Sequence, residues 1–557
     1  MAKLNVPSPP VVFLTITKLP GGTYTIGGTS PNYATFSAAA SDLVTRGIAG
    51  AVTFNARAGT YSEQVNLPAI AGSSSANTIT FQSESGVKTD VTLRFTQTDA
   101  NNTSNYVMWL RGTRHVRLLN MMLVSYGLNV SYRTVVEVSN TAGDVVIQGD
   151  SLTGWAGGGQ NLSLISGTSA NGSSITDNLT IMGNRFGPAG YAVYLVGSAS
   201  TETVVKGNTV TNTAGTGGIY LSGHMAPVVD SNSVVCLNDG IDLYGCTSST
   251  SVQKNRVVST NGGTGIQMYA CNGDILDYGL VANNFVTLQG TSNGTGLYAA
   301  SCTYQNFFNN TINVASGNTS TAMNVSSGGN LSVDDNILIN GSGGYAYYVT
   351  SASSLVSSNY NDLRTTGSTL AYWVSAAQAN LAALQAAGGK DSNSVTEPVT
   401  FVSATDLHLS GASIGDRALR GTPLAQVTVD IDGYPRSSTA PYMGANEAAV
   451  PLAVNDHKPG ENGTPGQAPV VFRLFQNYPN PFNPSTTLKF TVEKQAVTTL
   501  DVFDILGRHV ATLFDERAEP GQFYSIRFDG TGLASGEYFI RLRSGNRVDM
   551  KKIMLLK

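Results

Sequence analysis

The sequence predicts an all-β protein: a solenoid of stacked parallel strands followed by a small antiparallel β domain. Three observations carry this. First, the form apolar-x-x-Asn-x-apolar recurs eight times between Ile181 and Asn361, as in Ile181/Asn184/Phe186, Val205/Asn208/Val210, Val229/Asn232/Val234 and Val252/Asn255/Val257. It continues through Asn284, Asn310, Asn336 and Val356/Asn359. A fixed period of this size means a solenoid, in which each unit buries its apolar face against its neighbours. Second, a short alternating segment lies between successive Asn positions, as in Gly218-Ile219-Tyr220-Leu221, Gly240-Ile241-Asp242-Leu243 and Gly265-Ile266-Gln267-Met268. Apolar residues two apart are strand period, and the abundant Gly, Ser, Thr and Asn disfavour helix interiors. Third, charge is unevenly placed. Residues 471–557 hold 21 charged side chains in 87 positions, against 47 in the preceding 470.

In chain order, residues 1–20 read as an extended lead-in with Pro7, Pro9 and Pro10. A helix over Tyr33–Arg46 has one apolar face (Phe36, Ala39, Ala40, Leu43, Val44) and ends at Gly47, suited to covering the open end of a first coil. Strands follow at Val52–Asn55, Thr78–Gln82, Val91–Phe95, Val107–Leu110, Val116–Leu123, Val135–Val138 and Val145–Gln148. In the regular coils an Asn at a tight turn tolerates left-handed backbone and can bond to the Asn above and below. Cys246, Cys271 and Cys302 each follow their repeat Gly by six residues, so they stack in neighbouring coils. They read as a small apolar ladder, with a disulfide between two of them open in an oxidising compartment. After Tyr360 a second helix is expected over Ser375–Ala387. Residues 448–470, rich in Pro, Gly and Asn, read as a linker. The final domain, 471–557, has strands at Thr487–Val492, Thr499–Asp504, Phe523–Phe528 and Glu537–Ser544, split by Gly-containing turns.

These features resemble two families. The repeats, over roughly residues 20–447, resemble a right-handed parallel β-helix of the pectate-lyase-like superfamily. The segments GGTYTIGG…GTYSEQVNL and VDIDGYPR…MGANE resemble the opening and closing of such proteins. The closing commonly has an acidic residue before Gly-Ala, where Met443 stands here, so no family metal site is carried over. The run Phe475-Gln476-Asn477-Tyr478-Pro479-Asn480-Pro481-Phe482-Asn483-Pro484, then Asp501–Arg508, then Leu533–Phe539 and the basic tail ending at Lys557, resemble the Ig-like C-terminal sorting domain of the type IX secretion system. That resemblance implies a secreted protein delivered to the outer-membrane surface, with the secretion machinery as partner through 471–557. The domains expected are thus 1–20, the β-helix 21–447, the linker 448–470 and the sorting domain 471–557.

Only four basic residues lie between Asp150 and Tyr360 (Arg185, Lys206, Lys254, Arg256), which argues against nucleic acid and against gripping a polyuronate. No transmembrane segment is present. Val11–Ile16 is too short for a signal-peptide core, so the chain reads as starting after a removed leader or short of its true start.

If the apolar pairs point inward, the residues between them form outward columns. Tyr220, Asp242, Tyr244, Gln267, Tyr269 and Tyr298 then make one patch over four coils. Aromatic rings beside amide and carboxylate suit sugar rings, so the candidate partner is extracellular polysaccharide. The resulting expectation is a surface β-helix protein acting as glycan binder, adhesin or display scaffold. The alternatives are a polysaccharide hydrolase or lyase, and a self-assembling fibre subunit. For a hydrolase, Asp239 and Asp242 are the candidate carboxylates, in a segment resembling the Asn-x-Asp-Gly strand of polygalacturonase-like glycosidases. The paired Asp, Gly-His-Gly and Arg-x-Lys elements of that family have no counterpart in matching order; Gly223-His224-Met225 comes too early and lacks the second Gly. Arg111, Arg114, His115 and Arg117 are the one cluster able to hold an anion. No cofactor is expected. Calcium is the one cation the acidic pairs Asp274/Asp277 or Asp334/Asp335 could take, and the five His show no zinc pattern.

Overall fold

The computed structural model describes residues 17–97, 105–127, 133–154, 162–167, 177–198, 202–212, 215–448, 472–475, 477, 480–520 and 524–556. The chain divides into two compact units, Met1–Ala448 and Ala449–Lys557. The expected linker lies almost wholly outside the described residues.

The first unit is a parallel β-helix. Three sheets run its length, with thirteen, thirteen and twelve strands among the described residues. Each coil gives one strand to each sheet. In one coil, Val228–Asp230 joins the first sheet, Ser233–Cys236 the third and Asp239–Tyr244 the second. Neighbouring coils pair in parallel with unshifted register, as in Val205↔Val229↔Val252 and Ile219↔Ile241↔Ile266. Inward Val, Ile, Leu and Phe from all three sheets form one continuous core.

The corner between the first and third sheets is built on asparagine. Asn184, Asn208, Asn232, Asn255, Asn284, Asn310 and Asn336 are buried one above another. Each donates its backbone N–H and its side-chain Nδ2 to the Oδ1 of the next. For Asn232 onto Asn255 both distances are 3.0 Å. Nδ2 also donates to a carbonyl of the preceding coil, here Val205 O at 2.8 Å. The sequence reading needs two corrections here. The ladder residue of the last repeat is Asn361, not Asn359: it accepts from Asn336, while a register shift between Leu331 and Ser332 displaces the strand by one residue. Nor does the ladder Asn itself take the left-handed conformation. The residue before it does: Gly183, Gly207, Ser231, Lys254, Asn283, Asn309, Asp335 and Tyr360 all have φ between 51° and 65°. That residue turns the chain, and the Asn then fills the corner.

Asp150 occupies the same column one coil earlier. Its Oδ1 accepts the Met121 N–H at 2.7 Å, and its own N–H donates to Asn184 Oδ1 at 2.9 Å. Its Oδ2 stands where every other member carries an amide nitrogen, and it has no partner among the described residues. Full burial pushes this carboxyl up to about 8.

The N-terminal helix, α1, is Phe36–Arg46. It begins three residues later than expected because Thr35 is its N-cap, accepting from the Ala38 N–H. Phe36, Ala39, Ala40 and Leu43 join the core at that end of the solenoid, while Val44 is exposed. The expected strand Val116–Leu123 is two strands, Val116–Leu119 and Met122–Gly127, broken at Asn120 with φ 54°. At the far end, part of the expected helix is an antiparallel pair, Ala371–Trp373 with Ala376–Gln378. The helix itself, α2, is Leu381–Gly388, capped by Asn380 and ended by Gly389.

Residues 397–448 return along the outside of the coils. Leu407, Ile431 and Ala445 pack on Phe285. Arg256, one of the four coil cations, binds Asp432 at 2.6 Å, and Asp432 also accepts from His408. Arg436, buried, reaches Asn283 Oδ1 at 2.6 Å.

The second unit holds two antiparallel sheets. One comprises Arg473–Leu474, Ser485–Thr491 and Tyr524–Asp529; the other comprises His509–Ala518, Ala496–Asp504, Gly536–Ser544 and Arg547–Leu555. Three strands went unread in the sequence: Arg473–Leu474, His509–Ala518 and Arg547–Leu555. The basic tail is one of them: Lys551 and Lys552 lie in a strand paired with Gly536–Ser544.

Two outcomes test the ladder. Asn255→Ala strands the Asn232 N–H and amide and the Val229 carbonyl in the interior, so it should destabilise the solenoid by about 3 kcal/mol or more in chemical unfolding. Asp150→Asn should stabilise it. The unfolded carboxyl ionises near 3.8 and the folded one near 8, so the native state holds the extra proton between these values and stability falls as pH rises through that window. The variant should therefore match the parent at pH 4 and exceed it at pH 8, by on the order of 3 kcal/mol.

Candidate functional site

The outward columns predicted from sequence are present on the second sheet. Tyr194, Tyr220, Asp242, Gln267, Tyr298, Asn324, Tyr348 and Tyr372 are consecutive partners in register. Ser222, Tyr244 and Tyr269 form the column beside them. Strand pairing therefore brings Tyr220, Asp242, Tyr244, Gln267, Tyr269 and Tyr298 onto one face.

The tyrosines stack. Tyr194 and Tyr220 are parallel at 4.3 Å between ring centroids, and Tyr244 and Tyr269 at 4.4 Å. The two pairs approach through Tyr220 and Tyr244 at 6.4 Å. Tyr191 sets its edge against Tyr194 and Tyr220, with Gly217 leaving room for its ring. Tyr191 and Tyr194 were not singled out as site residues, although the period-two alternation of Tyr191–Val196 placed Tyr194 in the column.

Asp242 departs from expectation in its exposure. It is outward in register yet only 6% exposed. Its Oδ1 has no hydrogen-bond partner among the described residues. Burial, reinforced by the neighbouring Asp239, holds the carboxyl well above its usual range. Asp239 is also raised by burial, while its Oδ1 accepts the Thr264 N–H at 2.9 Å. The Tyr194 hydroxyl is pushed up to about 12, by burial first and by Tyr220 and Asp242 next. The face thus offers flat aromatic surface, with a carboxyl buried beneath it whose pKa burial and Asp239 raise.

The other candidates resolve differently. Arg114 is engaged by Asp144 at 2.7 Å, so it is no open anion grip. Asp274 and Asp277 close a two-residue turn through their backbones. Asp334 accepts from Ser357, and Asp335 from the Thr422 N–H. Cys246, Cys271 and Cys302 do stack, as free buried thiols that donate to backbone carbonyls. His224 tops the same column, since Met225 pairs with Thr247 and Thr247 with Asn272. Its ring lies over Gly197, and burial lowers its pKa to about 4.

Residues 476–556 match the family described as secretion system C-terminal sorting domain, and residues 133–330 match the family described as periplasmic copper-binding protein (NosD). No curated protein matches significantly. Among solved structures, a pectin methylesterase from Aspergillus niger is 12% identical, with a TM-score of 0.27, over 54% of this chain and 86% of its own. Tailspike protein 2 of Escherichia coli O157:H7 bacteriophage CAB120 is 12% identical, with a TM-score of 0.20, over 88% of this chain and 68% of its own. The fold and the two family matches define a parallel β-helix protein with a type IX secretion sorting domain. It is a secreted protein addressed to the cell surface, and its partner through that domain is the secretion machinery. Among the described residues no helix is long and apolar enough to cross a membrane.

The second family's description names copper, and the residues here do not fit it. The three thiols and His224 stand in a line at rung spacing of about 4.8 Å. The outer thiols are thus about 10 Å apart, more than twice a metal–sulfur bond of about 2.3 Å can bridge. Among the described residues no three His, Cys, Asp or Glu converge as metal ligands.

Proposed function

We propose that this protein binds extracellular glycan through the tyrosine face of the second sheet and serves at the cell surface as an adhesin or display scaffold. The observation that carries the reading is the double stack Tyr194/Tyr220 and Tyr244/Tyr269 around Asp242. Aromatic rings on an outer sheet face offer the apolar faces of sugar rings a flat partner, and the phenol hydroxyls and the Gln267 amide beside them can bond to the sugar hydroxyls. The sheet is rigid, because every strand on it is paired on both sides through most of its length, so the rings are held in place before a ligand arrives.

A hydrolase is the second reading. Its support is the pair Asp239 and Asp242, in which burial and the neighbouring Asp239 raise the pKa of Asp242, the direction a general acid needs.

Two measurements separate them. Tyr244→Ala with Tyr269→Ala should abolish retention on a glycan array while the circular dichroism spectrum is unchanged; retention equal to the parent's on every glycan would end the binding reading. Under the binding reading, prolonged incubation with the retained glycan releases no reducing ends. Release that disappears in Asp242→Asn would instead make the protein an enzyme.

A further inference from the structure

The tyrosine face does not end at Tyr298. Two coils further on, the same columns carry a second aromatic platform. Tyr348 and Tyr372 are parallel at 4.5 Å between centroids, and Tyr345 packs beside both, at 5.5 Å and 6.0 Å. Between the platforms the central column holds Gln267, Tyr298 and Asn324, and Asn324 Oδ1 has no partner among the described residues. The column beside it runs Thr264, Thr295 and Thr321. This connecting strip is hydroxyl and amide, and none of its side chains is charged.

The charge of the whole face narrows what can lie on it. None of the four coil cations sits on the second sheet: Arg185 and Arg256 belong to the third, Lys206 ends a strand of the first, and Lys254 is in a turn. Lys206 and Arg256 are in addition held by Asp230 and Asp432. The ionisable groups that do line the face are carboxyls, Asp239 and Asp242. A polyanion would therefore meet no counter-charge on this face.

From Tyr194 to Tyr372 the column takes seven steps between coils, about 34 Å at about 4.8 Å per step. Resting on the glycan reading above, we infer that the ligand is an uncharged linear polysaccharide laid along the solenoid axis, held at once by the Tyr194–Tyr269 platform and by the Tyr345/Tyr348/Tyr372 platform. The Gln267 amide and the part-exposed Thr264 and Thr295 supply hydrogen bonds to the hydroxyls in between. Two platforms on one rigid support act as linked sites. A chain long enough to reach both gains from the second contact at high effective concentration, whereas a short oligomer gains nothing.

The test is affinity against ligand length, by calorimetry on the full chain. The probes are neutral β-1,4-linked glucose, mannose and xylose oligomers from disaccharide to octasaccharide, with oligogalacturonides of the same lengths as the charged control. For at least one neutral series the octasaccharide should bind at least about tenfold more tightly than the trisaccharide, and the oligogalacturonides should not bind. Tyr348→Thr with Tyr372→Thr, chosen because Thr suits a strand, should erase the length advantage and leave trisaccharide affinity unchanged. An unchanged melting temperature certifies the fold of that variant. Affinity independent of length, an advantage that survives the variant, or tighter binding of the acidic series overturns this inference while leaving the glycan reading intact. Failure of every oligomer to bind overturns both.

Discussion

From Asp150 to Asn361 the solenoid depends on one corner. A parallel coil must turn sharply between two of its sheets, and the turn buries backbone N–H and C=O groups that no strand can reach. The stacked asparagines satisfy them. Each uses its carbonyl for the backbone and side chain of the coil before and its amide for a carbonyl there, as Asn255 does with Asn232 and Val229. The alternative, an orphaned buried amide, costs about 1–3 kcal/mol per group. The ladder thereby sets the vertical register of all three sheets. Because side chains alternate with period two, that register also decides which residues face outward together. The tyrosine columns exist because the asparagine column does.

This dependence explains what was legible in the sequence. The coils between Asn184 and Asn336 repeat one residue type at one corner, so their register, the thiol column and the six-residue patch could be read from spacing alone. Legibility failed where the pattern is carried by a substitute. Asp150 holds the ladder position with a carboxyl, and Asn361 was passed over for Asn359 because Ser358 replaces the usual apolar residue three positions before it. The helix boundaries at Phe36 and Leu381 were set by caps, Thr35 and Asn380, that outweigh the apolar periodicity upstream. In the second unit, His509–Ala518 and Arg547–Leu555 are strands with charged outer faces, and charge masked their alternation.

At the site, spacing gave position but not environment. Alternation correctly put Asp242 between Tyr220 and Gln267, yet it could not show that the carboxyl would be buried, near enough to Tyr191, Tyr194 and Tyr244 to raise their pKa values. Burial of an outward residue is a property of neighbours on other coils, and a Gly-lined gap such as Gly217 lets the larger rings lean inward. An outward column therefore grades from open aromatic surface to shielded polar group within one coil, which a smooth sheet of β-branched residues could not do.

The two ends of the ladder show the same logic in opposite senses. The column is directional: every member donates forward and accepts from behind. At the far end, Asn361 donates its N–H to Ser394 Oγ at 2.9 Å and its Nδ2 to Asp391 at 3.1 Å. A group that only accepts is the right terminator there, and Ser358 and Ser394 add donors to the same carboxylate. At the near end Asp150 accepts the Met121 N–H and donates its own N–H to Asn184 Oδ1, but its buried Oδ2 has no partner among the described residues. Burial without such a partner favours the neutral carboxyl and raises its pKa to about 8. In its neutral form the residue resembles an asparagine, able to donate as well as accept. A carboxyl is suited to stopping the ladder, and its protonated form to starting it.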